Sequence, residues 1–117
     1  VEGLSEIVQR LQRVQIENAP AVEVIQRYDT ADTVFYVDPP YVHSARGDSA
    51  AYGYEMTDED HESLATVLKR VRGRVVLSGY QTSLYDRLYE NWRRIDAEEH
   101  NCRSVRKSRQ ESVWMNF

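Results

Sequence analysis

Four consecutive residues, Asp38-Pro39-Pro40-Tyr41, concentrate the chemistry this sequence offers. Asp38 supplies a carboxylate oxygen. The prolines cannot donate to a sheet ladder, and each pushes its predecessor out of the helical region, so the carbonyl of Pro39 is set free from strand pairing. A carboxylate and a carbonyl aimed at the two hydrogens of an exocyclic amine draw its nitrogen towards tetrahedral geometry. They thereby expose a lone pair that is otherwise delocalised into the ring, a case of electrostatic preorganisation. Tyr41 adds an aromatic face on which a flipped base can stack. The plainer reading of the same residues is a strand-ending turn in which Asp38 caps and Tyr41 packs.

The elements needed to position this group are legible on both sides. Val34-Phe35-Tyr36-Val37 is a continuous run of β-branched and aromatic residues, the pattern of a strand covered on both faces. Val75-Val76-Leu77 forms a second buried strand within residues 74–80, ending in Ser78-Gly79. Ligands of α/β sheets sit beyond the carboxyl ends of the strands, where both Asp38 and the stretch Ser78 to Tyr80 fall. Ser78 and Tyr80 are therefore expected on the pocket floor, although Ser78 would also serve to satisfy a backbone group.

Before these strands, Leu4, Ile7, Val8 and Leu11 recur at helical spacing and predict an amphipathic helix over residues 4–13. Val14 and Ile16 alternate with polar neighbours as in a short strand. Pro20 suits the first turn of a helix whose inner face is Ala21, Val24, Ile25 and Tyr28. The stretch 42–56 has no sustained period and reads as a long loop. Thr57 with Asp60 resembles a capping box opening a helix through Leu64, Val67, Leu68 and Val71, which Gly73 stops as a left-handed cap. Ser83 with Asp86 repeats the start signal, with Leu84, Tyr85, Leu88 and Tyr89 turned inward. Residues 92–98 and 111–117 read as an antiparallel hairpin. The order predicts an α/β fold, a mainly parallel sheet with a C-terminal antiparallel hairpin, built as a single domain over residues 1–117.

Composition sets limits on function. The chain has 117 residues, 41% hydrophobic and 29% charged, with no apolar run near the roughly 18 residues of a membrane span. The N-terminus lacks a signal-like pattern, so a cytoplasmic location is expected. Cys102 is the lone cysteine, which excludes an internal disulfide; a buried, inert thiol is expected. His43 reads as a loop residue and His61 as a helix-surface residue, and no spaced set of ligands predicts a metal site. A net charge of −4 argues against binding nucleic acid by overall charge. Arg103, Arg106, Lys107 and Arg109 nevertheless cluster, and suit either phosphate contact or a charge-protected hairpin edge.

The segment Phe35-Tyr36-Val37-Asp38-Pro39-Pro40-Tyr41 resembles the catalytic motif of amino-methyltransferases. Val14-Gln15-Ile16-Glu17-Asn18 precedes it. Tyr52-Gly53-Tyr54-Glu55-Met56-Thr57 with His61, Val76-Leu77-Ser78-Gly79-Tyr80, and Glu111-Ser112-Val113-Trp114-Met115-Asn116 follow it. Together they are similar to adenine-specific DNA methyltransferases of the phage and restriction type, from about Val14 to the end of the chain. RNA and protein amino-methyltransferases share the short motif but fit the flanking segments less well.

That resemblance implies a partial Rossmann-like methyltransferase fold, S-adenosylmethionine as cofactor and DNA as partner. It implies Asp38, Pro39, Pro40 and Tyr41 as catalytic residues, with Glu17, Asn18 and Asp38 towards the donor. Tyr41, Tyr52, Tyr54, Ser78 and Tyr80 would meet the base, and the basic cluster the nucleic acid. Tyr52 and Tyr54 serve equally as packing for their loop, and Glu17 and Asn18 as a plain strand terminus. The family's glycine-rich donor loop has no counterpart here, since the five glycines form no Gly-x-Gly pattern, and the resemblance finds no segment like its target-recognition domain. The expectation is the C-terminal half of such an enzyme, inactive alone, completed by an N-terminal half or paired with a second copy. A non-catalytic nucleic-acid or protein-binding module on the same fold is the alternative.

Overall fold

The computed structural model describes residues 3–42, 55–97 and 110–117. Along the chain these form α1 (Leu4–Leu11), α2 (Ala21–Tyr28), β1 (Val34–Val37), α3 (Asp58–Leu68), β2 (Arg74–Tyr80), α4 (Ser83–Leu88), β3 (Arg93–Asp96) and β4 (Glu111–Met115). The strands make one sheet in the order β1-β2-β4-β3.

Only β1 and β2 run parallel, with Val37 opposite Leu77. β4 is antiparallel to both β2 and β3, so the sheet is mixed and mostly antiparallel, not mainly parallel as the α/β alternation predicts. The reason lies in which strand of the hairpin deserves the interior. β4 carries the buried Ser112, Trp114 and Met115 and takes the slot beside β2, whereas every residue of β3 is exposed and β3 takes the edge. A mixed α/β architecture remains.

The core lies on one face of the sheet. Val75, Leu77 and Trp114 point into a cluster with Ile25 of α2, Leu64, Ala65 and Leu68 of α3, Tyr85 of α4 and Tyr89 just after it. Phe35 and Val37 pack against it while Val34 and Tyr36, 66% and 70% exposed, do not. The covering of β1 on both faces is thus not observed: β1 is an edge strand, and an apolar run does not require burial on both sides.

The helix starts follow local chemistry. In α3 the Thr57 hydroxyl accepts from the Asp60 amide and the Asp60 carboxylate accepts from the Thr57 amide, so the capping box forms as expected. In α4 the capping side chain is Thr82, which accepts from the Tyr85 amide; Ser83 is the first helical residue. Pro20 caps α2, which buries Ile25 and leaves Ala21 and Tyr28 exposed. α3 ends at Leu68, so Gly73 is no left-handed cap. Gly73 instead lies where a side chain would meet the Thr33 carbonyl oxygen at 2.7 Å. Its amide donates to Asp29, whose carboxylate also receives the Arg72 amide and so closes the turn into β2.

α1 forms, but none of its residues is buried, and its apolar stripe of Leu4, Ile7, Val8 and Leu11 is exposed. Val14 and Ile16 join no strand; Ile16 is 90% exposed. The Val14 amide instead closes a turn onto the Leu11 carbonyl at 2.9 Å, and without a pairing partner the alternation builds no strand. Among the described residues no helix is long and apolar enough to cross a membrane.

Candidate active site

β1 ends opposite Leu77 while β2 runs on to Tyr80, and their parallel register brings the residues after Val37 against Ser78. The Ser78 hydroxyl donates to Asp38 Oδ1 at 2.8 Å and lies 3.3 Å from the Val37 carbonyl oxygen. Asp38 is exposed, Pro39 buried, and Pro40 and Tyr41 half-buried. Tyr41 meets Tyr80 edge to face, ring centroids 4.4 Å apart, from the end of the neighbouring strand. Four residues singled out from the sequence, Asp38, Tyr41, Ser78 and Tyr80, therefore converge at one end of the sheet.

Two concavities flank Asp38. The smaller, about 280 Å³, is lined by Asp38, Tyr41 and Ser78 with Tyr36, and closed by Ile95, Ala97, Ser112 and Val113 from the hairpin side. The larger, about 1030 Å³, lies between α2, α3 and β1. Glu17 and Asn18 stand on its wall together with Asp38, Pro39 and Pro40, and Ile25, Phe35, Met56 and Leu64 supply apolar surface. Asp38 and Tyr36 border both spaces, and of the two only Asp38 carries a carboxylate.

Glu17 is held firmly. The Tyr28 hydroxyl donates to its Oε1 at 2.5 Å, Gln15 Nε2 to the same oxygen at 2.9 Å, and Arg27 Nη1 to Oε2 at 3.4 Å. The Tyr28 hydrogen bond, aided by the Arg27 charge, holds the Glu17 carboxyl below the usual carboxylate range, and the same bond raises Tyr28. Asp60, also on the larger concavity, is lowered by the Thr57 amide and hydroxyl.

His61 is not on the helix surface: it is 1% exposed, with Nδ1 3.1 Å from the Tyr85 hydroxyl and its ring edge-on to that of Tyr85. The signal was present, since His61 shares helical spacing with Leu64, Ala65 and Leu68, all buried on α3. The hairpin contributors to the smaller concavity were invisible, because nothing local places β3 and β4 beside Asp38.

Tyr52, Tyr54, Arg103, Arg106, Lys107 and Arg109 lie outside the described residues, as do His43 and Cys102. Among the described residues no three metal-ligating side chains gather.

A mixed α/β sheet with Asp38, Ser78 and Tyr80 brought together where β1 ends along β2 is consistent with a methyltransferase-like fold. A protein-family model for the D12 class N6 adenine-specific DNA methyltransferases matches residues 2–105, and the chain belongs to that family. Its members methylate adenine in DNA and normally use S-adenosylmethionine. No curated protein matches the chain.

Proposed function

We propose that Asp38-Pro39-Pro40-Tyr41 grips the exocyclic amino group of a flipped adenine in DNA, with the methyl donor in the larger concavity. The observation that carries this reading is that Asp38 borders both spaces, Glu17 and Asn18 standing on one side and Tyr41 and Ser78 on the other. Methyl transfer needs the donor's methyl group and the acceptor nitrogen to come into contact, and a residue bordering both spaces stands where they would meet.

The larger concavity suits a sulfonium nucleoside. Ile25, Phe35 and Leu64 provide apolar walls for a purine, and Glu17 and Asn18 provide polar groups near it. A carboxylate has about four acceptor positions, so Glu17 retains capacity beyond its bonds to Tyr28, Gln15 and Arg27. Bound S-adenosylmethionine supplies an electrophilic methyl group. Asp38 accepts one amino hydrogen and the Pro39 carbonyl the other, which turns the nitrogen lone pair out of the ring. Tyr41 stacks on the base. Asp38 need not be a strong base, because the amino proton becomes acidic only once the methyl group has arrived.

The chain has no Gly-x-Gly loop, and we take residues 1–117 as one domain corresponding to the C-terminal half of the catalytic unit. Turnover then requires a donor-holding segment in addition, supplied by an N-terminal half; pairing with a second copy is a further expectation. The test is incorporation of labelled methyl from S-adenosylmethionine into unmethylated duplex DNA, with the chain alone and fused behind a donor-loop segment from the same family. The unfused chain should be inactive. The fusion should label adenine N6 and lose roughly 10²- to 10³-fold in kcat on Asp38→Ala, the scale of removing a preorganised polar contact. A fusion indifferent to Asp38→Ala overturns the site, and labelling by the unfused chain overturns the need for a second segment.

A further inference from the structure

We infer that Ser78 is a positioning residue: its hydroxyl fixes the rotation of the Asp38 carboxylate and so decides which oxygen faces the amino group. The inference rests on the reading of Asp38 given above. It assigns Ser78 a role behind the carboxylate, not a contact to the base.

The case begins with the softness of Asp38. The terminal torsion of an aspartate is broad and roughly two-fold, so an exposed carboxylate turns easily unless one oxygen is held. Asp38 is exposed, and among the described residues Ser78 supplies the one side-chain hydrogen bond it receives. Ser78 is itself 8% exposed and sits within a strand, where its small polar side chain gains little from sheet packing.

A hydroxyl has one hydrogen to give. The Asp38 oxygen at 2.8 Å is both nearer and charged, whereas the Val37 carbonyl is at 3.3 Å, so the proton goes to Asp38 Oδ1. The Val37 carbonyl lies on the same side and limits where else the rotor can point. Parallel pairing of Val37 with Leu77 sets the spacing, so this contact is built by the sheet and does not depend on a loop. With Oδ1 held, Oδ2 is the oxygen left to accept from a substrate.

The test uses an isosteric pair. Ser78→Thr keeps the hydroxyl, Ser78→Val removes it at equal shape, and Ser78→Ala serves if the valine variant does not fold. In the active fusion, Ser78→Val should lower kcat roughly 10- to 100-fold with the KM for DNA nearly unchanged, while Ser78→Thr restores turnover. Equal turnover in the two variants, or a raised KM at unchanged kcat, overturns the inference; the latter would make Ser78 a base contact. A second arm needs no turnover. The carboxyl carbon resonance of Asp38 in the 117-residue chain should shift in Ser78→Val and Ser78→Ala but not in Ser78→Thr, and an unmoved resonance overturns the inference. If the wild-type fusion transfers no methyl group, the proposed function fails while this arm still reads the contact.

Discussion

The hydroxyl of Tyr85 and Nδ1 of His61 lie 3.1 Å apart in the core, joining α4 to α3, with the Tyr85 ring set against Gly79 of β2. Burial pushes the ionisation of Tyr85 well above its ordinary range, so the hydroxyl keeps its proton and can serve Nδ1 as donor. The same ring meets Tyr89 and Trp114 edge-on at 5.3 and 5.2 Å. Tyr85→Phe keeps those ring contacts and removes the hydrogen bond to His61. It should destabilise the fold by about 1–3 kcal/mol, the cost of taking one partner from a buried polar pair. A lower urea midpoint at unchanged slope is the expected result; a midpoint equal to wild type would show that the bond contributes nothing net.

Tyr80 should matter to base capture through Tyr41. The edge contact at 4.4 Å fixes the ring on which the base is proposed to stack, and such aromatic pairs contribute about 0.5–1.5 kcal/mol beyond burial. Tyr80→Ala is expected to weaken the fluorescence change of a duplex carrying 2-aminopurine at the target. The corresponding loss in affinity is roughly 2- to 10-fold. Titration curves that superimpose on wild type would remove Tyr80 from the site.

The α3 capping box should leave a mark on acid stability. The Thr57 amide and hydroxyl favour the ionised Asp60, whose carboxyl lies below its ordinary value of 3.8. A carboxyl depressed on folding binds fewer protons in the native state, so its contribution is complete above about pH 4 and is lost as pH falls through the folded value. Asp60→Asn should therefore cost more stability at about pH 7 than at about pH 3, read as paired urea midpoints. An equal cost at both would contradict the linkage. Thr57→Ala, which removes the side-chain acceptor for the Asp60 amide, should cost about 1 kcal/mol at neutral pH.

Gly73 admits no side chain without movement of its neighbours. An added methyl would stand 2.7 Å from the Thr33 carbonyl oxygen and 3.1 Å from that of Thr30, both backbone atoms, and 3.0 Å from the Phe35 ring. Asn116 Nδ2 also donates to the Gly73 carbonyl, tying the turn to the end of β4. Gly73→Ala should destabilise by about 1–3 kcal/mol, the usual range for overpacking, and lower the thermal midpoint accordingly. A midpoint within error of wild type would mean that the turn yields freely.

These residues divide by the range of the forces that place them. Thr57 and Asp60 bond within one helical turn, and residue spacing alone announced the cap. Leu64 and Leu68 follow the period of α3, and the two prolines after Val37 end β1 by their own stereochemistry. The sequence by itself thus determined the helices, the strand that stops at Asp38 and the hairpin, and it suffices for the family match. It did not determine the neighbours. Ser78 meets Asp38, Asp29 meets Gly73, and Asn116 meets Val75 across about 40 residues of chain. Those contacts exist only because β1 pairs with β2 and because β4, bearing Trp114, competes better than β3 for the interior of the sheet. Periodicity reports that a residue wants burial, as His61 shows at its helical spacing, but pairing and register decide what it is buried against. Tertiary structure alone set Asp38 between two concavities, with a serine behind one of its oxygens.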